Sequence, residues 1–128
     1  MVKPRMSLAQ LLEHRYLISV EGNDVATNLK WVLYSNSTPF MPPPTTCSWL
    51  MEDQLQPWVH YVPLQPDFSD LVDKVKHCNT HVDQCYQIAL NGRRYIEEMR
   101  FLNPVQEKTI KLAVVNSVAR LTQGMYKF

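Results

Sequence analysis

The sequence predicts an α/β fold with a parallel sheet of about three strands. Short apolar runs rich in β-branched and aromatic residues alternate with stretches whose apolar residues recur at helical spacing, and cap or turn residues separate the two kinds. A length of 128 residues with 45% hydrophobic side chains is enough for one domain and too little for two. Because natural sheets commonly have about four to six strands, the pattern predicts a segment of a Rossmann-like domain.

The predicted strands are three short runs. Residues 16–20 form the first, and the turn at 21–24 ends it with cap chemistry that predicts a helix from Val25. Residues 40–41 form the second strand and residues 58–64 the third. Each predicted strand is followed by a turn and then by a helical pattern, so strands and helices alternate along the chain.

The remaining elements are predicted from caps and prolines. Three prolines at 42–44 predict a stiff extended connector, and the residues at 45–48 are caps for a second helix. Further helices are predicted to begin at Ser69, at about Val82 and at Pro104. The last helix has this predicted apolar stripe: Val105, Ile110, Leu112, Val115 and Val118.

Charge and hydropathy exclude several classes of protein. Thirteen Lys and Arg against twelve Asp and Glu give a formal charge of +1, so no basic patch indicates a nucleic-acid or anionic-membrane partner. No apolar run approaches the roughly 18–20 residues of a membrane span, and charges interrupt the N-terminal stretch before a signal-peptide core forms.

The cysteines and histidines predict no metal site. Cys47, Cys78 and Cys85 are an odd number without C-x-x-C spacing, and we interpret them as reduced core or surface thiols. His77 and His81 are four residues apart and can share a helix face, but the H-E-x-x-H pattern is missing. We therefore expect neither a disulfide framework nor a bound metal.

The turn at 21–24 is the strongest candidate site. Ligands of open parallel sheets bind beyond the carboxyl ends of the strands, where loops meet helix N-termini. Gly22 permits close backbone approach there, the N–H groups from Val25 onward are predicted donors, and Lys30 is the nearest cation. The alternative is that Asp24 only caps a helix and Gly22 only turns the chain, since one glycine is a weak motif.

For the remaining polar residues that were considered, the sequence favours ordinary structural roles. His60 and its neighbour Tyr61 point to opposite faces of the predicted third strand, and a general-base role for His60 needs a partner that the sequence does not place. Glu52 and Asp53 are adjacent on a predicted helix and are interpreted as solvated surface carboxylates.

Several strings of this chain resemble the C-terminal part of glycosyltransferase family 90, which includes capsule-synthesis proteins, lipopolysaccharide-modifying proteins and the Rumi protein O-glucosyltransferases. The resemblance covers roughly residues 14 to 100. The strings that carry it are Tyr-Leu-Ile-Ser-Val-Glu-Gly-Asn-Asp-Val-Ala-Thr-Asn-Leu-Lys-Trp at 16–31, Met-Pro-Pro-Pro-Thr-Thr at 41–46, Leu-Gln-Pro-Trp-Val-His-Tyr-Val-Pro-Leu at 55–64, and Asn-Gly-Arg at 91–93.

The resemblance implies a GT-B architecture, of which this chain is the C-terminal half: a single partial domain over residues 1–128 with C-terminal helices over about 82–124. It implies metal-independent transfer of a sugar from a UDP-sugar donor, without a cofactor, to a hydroxyl of a glycan, lipopolysaccharide or protein acceptor. Carried over by position, the donor-binding loop and helix start are Glu21, Gly22, Asn23, Asp24, Val25, Ala26, Asn28 and Lys30. Many members have arginine where this chain has Asn28, which leaves Lys30 as the nearest cation for a phosphate.

The resemblance also implies which part of the enzyme is not contained in this chain. The family's catalytic carboxylate belongs to the missing N-terminal half of the enzyme, which is therefore an implied partner, so no residue here is assigned a catalytic role. The alternative function is a truncated or regulatory nucleotide-binding module without catalysis, and an interaction domain is a third. The implied location is the cytoplasm for a bacterial member and the ER or Golgi lumen for a eukaryotic secretory member.

Overall fold

A computed structural model of the protein describes residues 4–100 and 104–123. Within these residues, helices alternate with strands along the chain. The elements in chain order are α1 (Leu8–Leu12), β1 (Tyr16–Ile18), α2 (Leu29–Tyr34), β2 (Thr38–Met41), a 3-10 turn (Glu52–Gln54), β3 (Val62–Pro63), α3 (Leu71–Thr80), α4 (Val82–Arg94), a π-helical segment (Tyr95–Arg100) and α5 (Pro104–Gln123).

The three strands form one parallel sheet in the order β1-β2-β3. Tyr16 of β1 lies opposite Thr38 of β2, and Phe40 of β2 lies opposite Val62 of β3. The α/β class and the three-stranded parallel sheet predicted from the sequence are therefore confirmed. The carboxyl ends of all three strands meet at one edge, where the candidate site was predicted.

The third strand is shorter than the predicted run of residues 58–64. Trp58 has a left-handed φ of 63°, which ends any extended conformation at that position. The N–H of His60 then donates to the carbonyl of Gln56, so the chain turns before it enters the sheet. The aromatic residues Trp58 and Tyr61 of this run therefore lie before the strand, which contains only Val62 and Pro63.

Helices cover both faces of the sheet. Phe40 and Met41 are neighbours in β2, so their side chains point to opposite faces. Phe40 packs with residues of β3, the loop after it, α3 and α4, namely Val62, Leu64, Cys78, Cys85 and Ile88. Met41 packs with residues of α2, the following loops and the π-helical segment, including Leu29, Leu33, Leu50, Tyr61, Tyr95 and Ile96. Burial on both faces is what parallel sheets require.

The helix predicted from Val25 begins later, at Leu29. The Asn28 side chain is the cause, because its Nδ2 donates to the Ile18 carbonyl and its Oδ1 accepts from the Ser19 hydroxyl. These bonds tie the residue before the helix to the end of β1 and leave 19–28 as a loop. The predicted N-terminal donors are thus loop N–H groups, and that of Val25 donates to Asp24 Oδ1.

The helix predicted after residues 45–48 was wrong, because only a 3-10 turn, Glu52–Gln54, forms there. Met51, which precedes the turn, has a left-handed φ of 55° that no continuous right-handed helix accommodates. By contrast, the helices predicted from Ser69, Val82 and Pro104 are confirmed as α3, α4 and α5.

The interpretation of all three cysteines as reduced thiols was wrong for two of them. Cys78 in α3 and Cys85 in α4 form a disulfide with a Cα–Cα distance of 5.6 Å. His81 interrupts the helical conformation between α3 and α4, and this break brings together two residues that are seven apart in sequence. Cys47 is a free, exposed thiol, as expected.

The stripe predicted for α5 is largely solvent-exposed. Val105 and Val115 are 74% and 61% exposed, and Leu112 and Val118 are also exposed. Ile110 is half-buried and, with Val114, faces a groove beside Trp49. The helical spacing of α5 was therefore predicted, but most of its apolar residues lie outside the core.

Gly92 in α4 packs closely against α2, so a side chain at this position is expected to lower stability. A Cβ there would lie 3.0 Å from Cδ2 of the fully buried Leu33, and overpacking of this kind costs about 1–3 kcal/mol. Replacing glycine in a helix interior gains only about 1 kcal/mol. Gly92→Ala should therefore lower the free energy of unfolding in urea by about 1 kcal/mol, whereas a higher value than for the unmodified chain would contradict this packing.

Candidate functional site

A cavity of about 450 Å³ opens at the carboxyl ends of the three strands, between the loops that follow them. The loop after β1 contributes the predicted residues Glu21, Gly22 and Ala26. Its other lining residues are Ser19, Val20, Leu29, Met41, Pro42, Pro43, Thr45, Glu52, Pro66 and Phe68. The cavity is therefore built by all three loops at the place predicted for ligand binding.

Glu21 joins the loop after β1 to the loop after β2. Its carboxylate accepts the hydroxyls of Thr45 and Thr46 at 2.6 and 2.9 Å, and their backbone N–H groups at 3.0–3.1 Å. Burial raises the pKa of Glu21, but these hydrogen bonds outweigh it and hold the pKa below its ordinary value of 4.5. Glu21 is thus ionised at neutral pH and fixes one wall of the cavity.

Glu52 is a second carboxylate in the lining, and the sequence interpretation of it as a surface residue was wrong. Its side chain is buried, with 2% of the residue exposed. Its oxygens accept the N–H of Ser48 at 2.6 Å and the hydroxyl of Ser48 at 2.7 Å. Each oxygen keeps further acceptor capacity, because a carboxylate has about four lone-pair sites.

The other predicted site residues lie around the cavity and do not line it. Asn23 and Asp24 are exposed in the loop after β1, and Val25 is half-buried beside them. The Asn28 side chain is engaged with Ser19 and Ile18, as described above. Lys30 is exposed near the start of α2. Its role toward a phosphate stays a prediction.

The walls of the cavity are mostly apolar. Pro42 and Pro43 belong to the predicted proline connector, and Pro66 and Phe68 come from the loop after β3. Phe68 has a left-handed φ of 59°, a conformation uncommon for a residue with a side chain. Flat apolar walls beside hydrogen-bonding carboxylates suit a ligand with a ring face and hydroxyl groups.

Sequence reasoning missed the polar partners that shape the cavity. Thr45 and Thr46 were interpreted as helix caps, and only the structure pairs them with Glu21, 24 and 25 residues earlier in the chain. Gly22 does not have a positive φ, and nothing lies within 4 Å of an added Cβ. The conformation of this turn therefore does not itself need a glycine, and close approach of a ligand to the Gly22 backbone stays a prediction.

The residues that the structure describes include neither a metal-binding cluster nor a membrane-spanning helix. Within residues 4–100 and 104–123, no group of three or more His, Cys, Asp or Glu side chains is placed to hold a metal ion. In the same part of the chain, no helix is both long and apolar enough to cross a membrane.

The sequence of residues 2–117 matches the family model described as Glycosyl transferase family 90. The chain belongs to this family. The match includes every residue that lines the cavity, so the cavity is part of the family 90 domain. The resemblance inferred from the strings at 16–31 and 55–64 is confirmed.

Named relatives of this family 90 chain include enzymes. It is 38% identical to the O-glucosyltransferase LpsA of Dichelobacter nodosus over 118 residues, which are 92% of this chain and 36% of LpsA. It is 31% identical to Protein O-glucosyltransferase 2 of Danio rerio over 90 residues, 70% of this chain and 18% of that protein. An uncharacterised protein, 035R of Invertebrate iridescent virus 3, is 32% identical over 85% of this chain and 10% of its own length. The chain thus spans about a third or less of the length of these relatives.

Proposed function

We propose that this chain is the UDP-sugar-binding part of a family 90 glycosyltransferase, equivalent to the C-terminal half of a GT-B enzyme. The complete enzyme transfers a sugar from the UDP-sugar to a hydroxyl of a glycan, a lipopolysaccharide or a protein. Family membership and the names of the relatives, which are O-glucosyltransferases, support sugar transfer and favour glucose as the sugar.

The observation that carries the proposal is the position of the cavity. It lies beyond the carboxyl ends of a parallel sheet, and Glu21, Gly22 and Ala26 of the predicted donor loop line it. The proline and phenylalanine walls suit a base or a sugar ring, and the carboxylates suit hydroxyl groups. In this proposal the diphosphate lies at the loop 21–26, near Lys30, and accepts from loop N–H groups other than those of Gly22 and Val25, which donate to Asp24.

The proposed chemistry divides between two parts of the enzyme. Transfer needs a base that removes the acceptor proton and donors that stabilise the departing diphosphate. This chain supplies the second requirement through loop N–H groups and Lys30, without a metal. The base is assigned to the N-terminal half that the longer relatives imply.

Calorimetric titration of the chain with UDP, UDP-glucose and UDP-xylose tests the proposal, with ADP as the control nucleotide. We expect both UDP-sugars and UDP to bind more tightly than ADP, with the same affinity in EDTA as with manganese. Absence of UDP binding would refute the donor site, and binding that requires manganese would refute metal independence. A transfer assay on the chain with and without its proposed N-terminal partner separates an enzyme part from the non-catalytic alternative.

Gly22→Ala separates a role in binding from a role in folding. Because nothing lies within 4 Å of the added Cβ, the free energy of unfolding should change by no more than about 0.5 kcal/mol. If the diphosphate approaches the Gly22 backbone, the same methyl group should weaken UDP binding about tenfold, or about 1.4 kcal/mol. Gly92→Ala is the matched control, with reduced stability and unchanged UDP affinity; unchanged affinity in Gly22→Ala would remove the turn from the site.

The disulfide bears on the proposed location. Structural disulfides persist in oxidising compartments and are rare in the cytosol. The Cys78–Cys85 bond therefore favours the ER or Golgi lumen of a eukaryotic secretory member over the cytoplasm of a bacterial one.

A further inference from the structure

A second pocket, of about 360 Å³, shares no lining residue with the cavity described above. It lies between the turn that precedes β3 and the end of α4 with the π-helical segment. The residues on which its chemistry depends are Gln54, His60, Asn91, Arg94, Tyr95 and Glu98. Nothing in the proposed donor site uses them.

His60 presents a hydrogen-bond donor in this pocket. The backbone N–H of Gln56 donates to His60 Nδ1 at 2.9 Å, and since a backbone N–H only donates, Nδ1 must be unprotonated. The proton of the neutral ring is therefore on Nε2, which meets no acceptor among the described residues. Burial lowers the pKa of His60, so this neutral form is the one present at pH 7. The ring is held edge-on against Tyr95, with 5.3 Å between ring centroids.

Arg94 supplies the positive charge of the pocket. It is exposed, and its guanidinium makes no ion pair with any residue that the structure describes. The neighbouring Arg93 differs, because its Nε donates to Glu97 at 2.8 Å and its guanidinium lies over the Tyr34 ring. Two adjacent arginines thus have different roles: Arg93 is engaged within the protein, and Arg94 keeps its donors for a ligand.

The remaining groups suit hydroxyls and a sugar ring. The Asn91 amide is fixed by donation from Nδ2 to the Val59 carbonyl at 3.0 Å, which leaves its Oδ1 as an acceptor. The Tyr95 hydroxyl donates to main-chain carbonyls of residues 50 and 51, so the ring supplies apolar surface. Glu98 also lines the pocket, and its negative charge disfavours ligands that carry several negative charges.

We propose that this pocket binds a monosaccharide unit carrying one anionic group, a carboxylate or a phosphate. The anionic oxygens are bound by the Arg94 guanidinium and by His60 Nε2–H, and the sugar hydroxyls by the Asn91 and Gln54 amides. A volume of about 360 Å³ accommodates one such unit. The proposal does not depend on UDP binding at the first cavity.

Ligand-observed NMR of the full chain tests it with glucuronate, glucose 6-phosphate, glucose and inorganic phosphate. We expect the two anionic sugars to bind and to compete with each other, and glucose and phosphate each to bind at least about tenfold more weakly. The anionic sugar that binds more tightly shows whether the preferred anionic group is a carboxylate or a phosphate. Glucose that binds as tightly as glucuronate would overturn the role of the charge, and phosphate that binds as tightly as glucose 6-phosphate would overturn the role of the sugar.

Arg94→Gln is the decisive variant, because Arg94 is exposed and its loss leaves the fold intact. We expect glucuronate affinity to fall at least about fivefold, Arg94→Lys to restore part of it, and UDP affinity to stay unchanged. Arg93→Gln removes the same charge one residue away and should leave glucuronate binding unchanged. An equal loss of glucuronate affinity in Arg93→Gln would show that the effect comes from net charge alone, and it would overturn the assignment of Arg94 to this pocket. Because UDP affinity is measured on the same variants, a failure of the anionic-sugar pocket can be distinguished from a failure of the donor site.

Discussion

Replacing both Cys78 and Cys85 with alanine is expected to lower the free energy of unfolding by about 2–4 kcal/mol. The bond closes a short loop between α3 and α4 and restricts the unfolded chain accordingly. Both residues are also fully buried beside Phe40 and Ile88, so truncation removes packing from the core on one face of the sheet. The effect is large because a small domain has only about 5–15 kcal/mol of stability in total.

Urea unfolding of the double variant measures this effect. Cys47→Ala is the matched control, because it removes an exposed thiol that forms no disulfide, and its midpoint should equal that of the unmodified chain. A thiol assay in denaturant should count one free cysteine without reductant. Three free thiols, or a double variant as stable as the control, would contradict the bond.

Glu21→Gln is expected to weaken UDP binding at least about tenfold and to lower stability by about 1–3 kcal/mol. A glutamine amide cannot accept from the hydroxyls and N–H groups of Thr45 and Thr46 as the carboxylate does. The loop after β2 should then detach from the loop after β1 and open the proposed donor cavity.

The pH dependence of stability gives an independent measurement of the same bonds. Because the folded pKa of Glu21 lies below 4.5, its contribution is complete above that pH and is lost as the pH falls through the folded pKa. This part of the acid-induced loss should be missing in Glu21→Gln. Asp24→Asn is the control, since that exposed carboxylate accepts only a local bond from Val25. Equal acid profiles for both variants and the unmodified chain would show that the Thr45 and Thr46 bonds contribute nothing to stability.

The elements predicted well from sequence are those governed by local chemistry. The run at Tyr16–Ile18 is apolar and β-branched and forms β1, and Pro104 begins α5 as a proline at a first helical turn should. The edge of the sheet where the loops meet followed from the parallel order, and Glu21, Gly22 and Ala26 of the donor loop implied by the family resemblance line the cavity at that edge.

The features that were missed depend on residues distant in sequence or on unusual backbone angles. Ser48 looked like a helix cap, but the left-handed Met51 turns the chain so that Ser48 binds the buried Glu52. The Cys78–Cys85 pair required the helix break at His81, which cysteine spacing alone does not indicate. Local patterns contain no information on either arrangement.

The disulfide leaves Cys47 as the reduced cysteine of the chain, one residue after the Glu21-bound Thr46. Desolvation by neighbouring groups and a hydrogen bond to Asp53 raise the pKa of the exposed Cys47 thiol, so alkylation is slow at neutral pH and faster under alkaline conditions. A single fluorophore attached there under non-reducing conditions reports on the loop that closes the cavity. A change in its emission at urea concentrations below the global transition would show that this loop detaches before the rest of the protein unfolds.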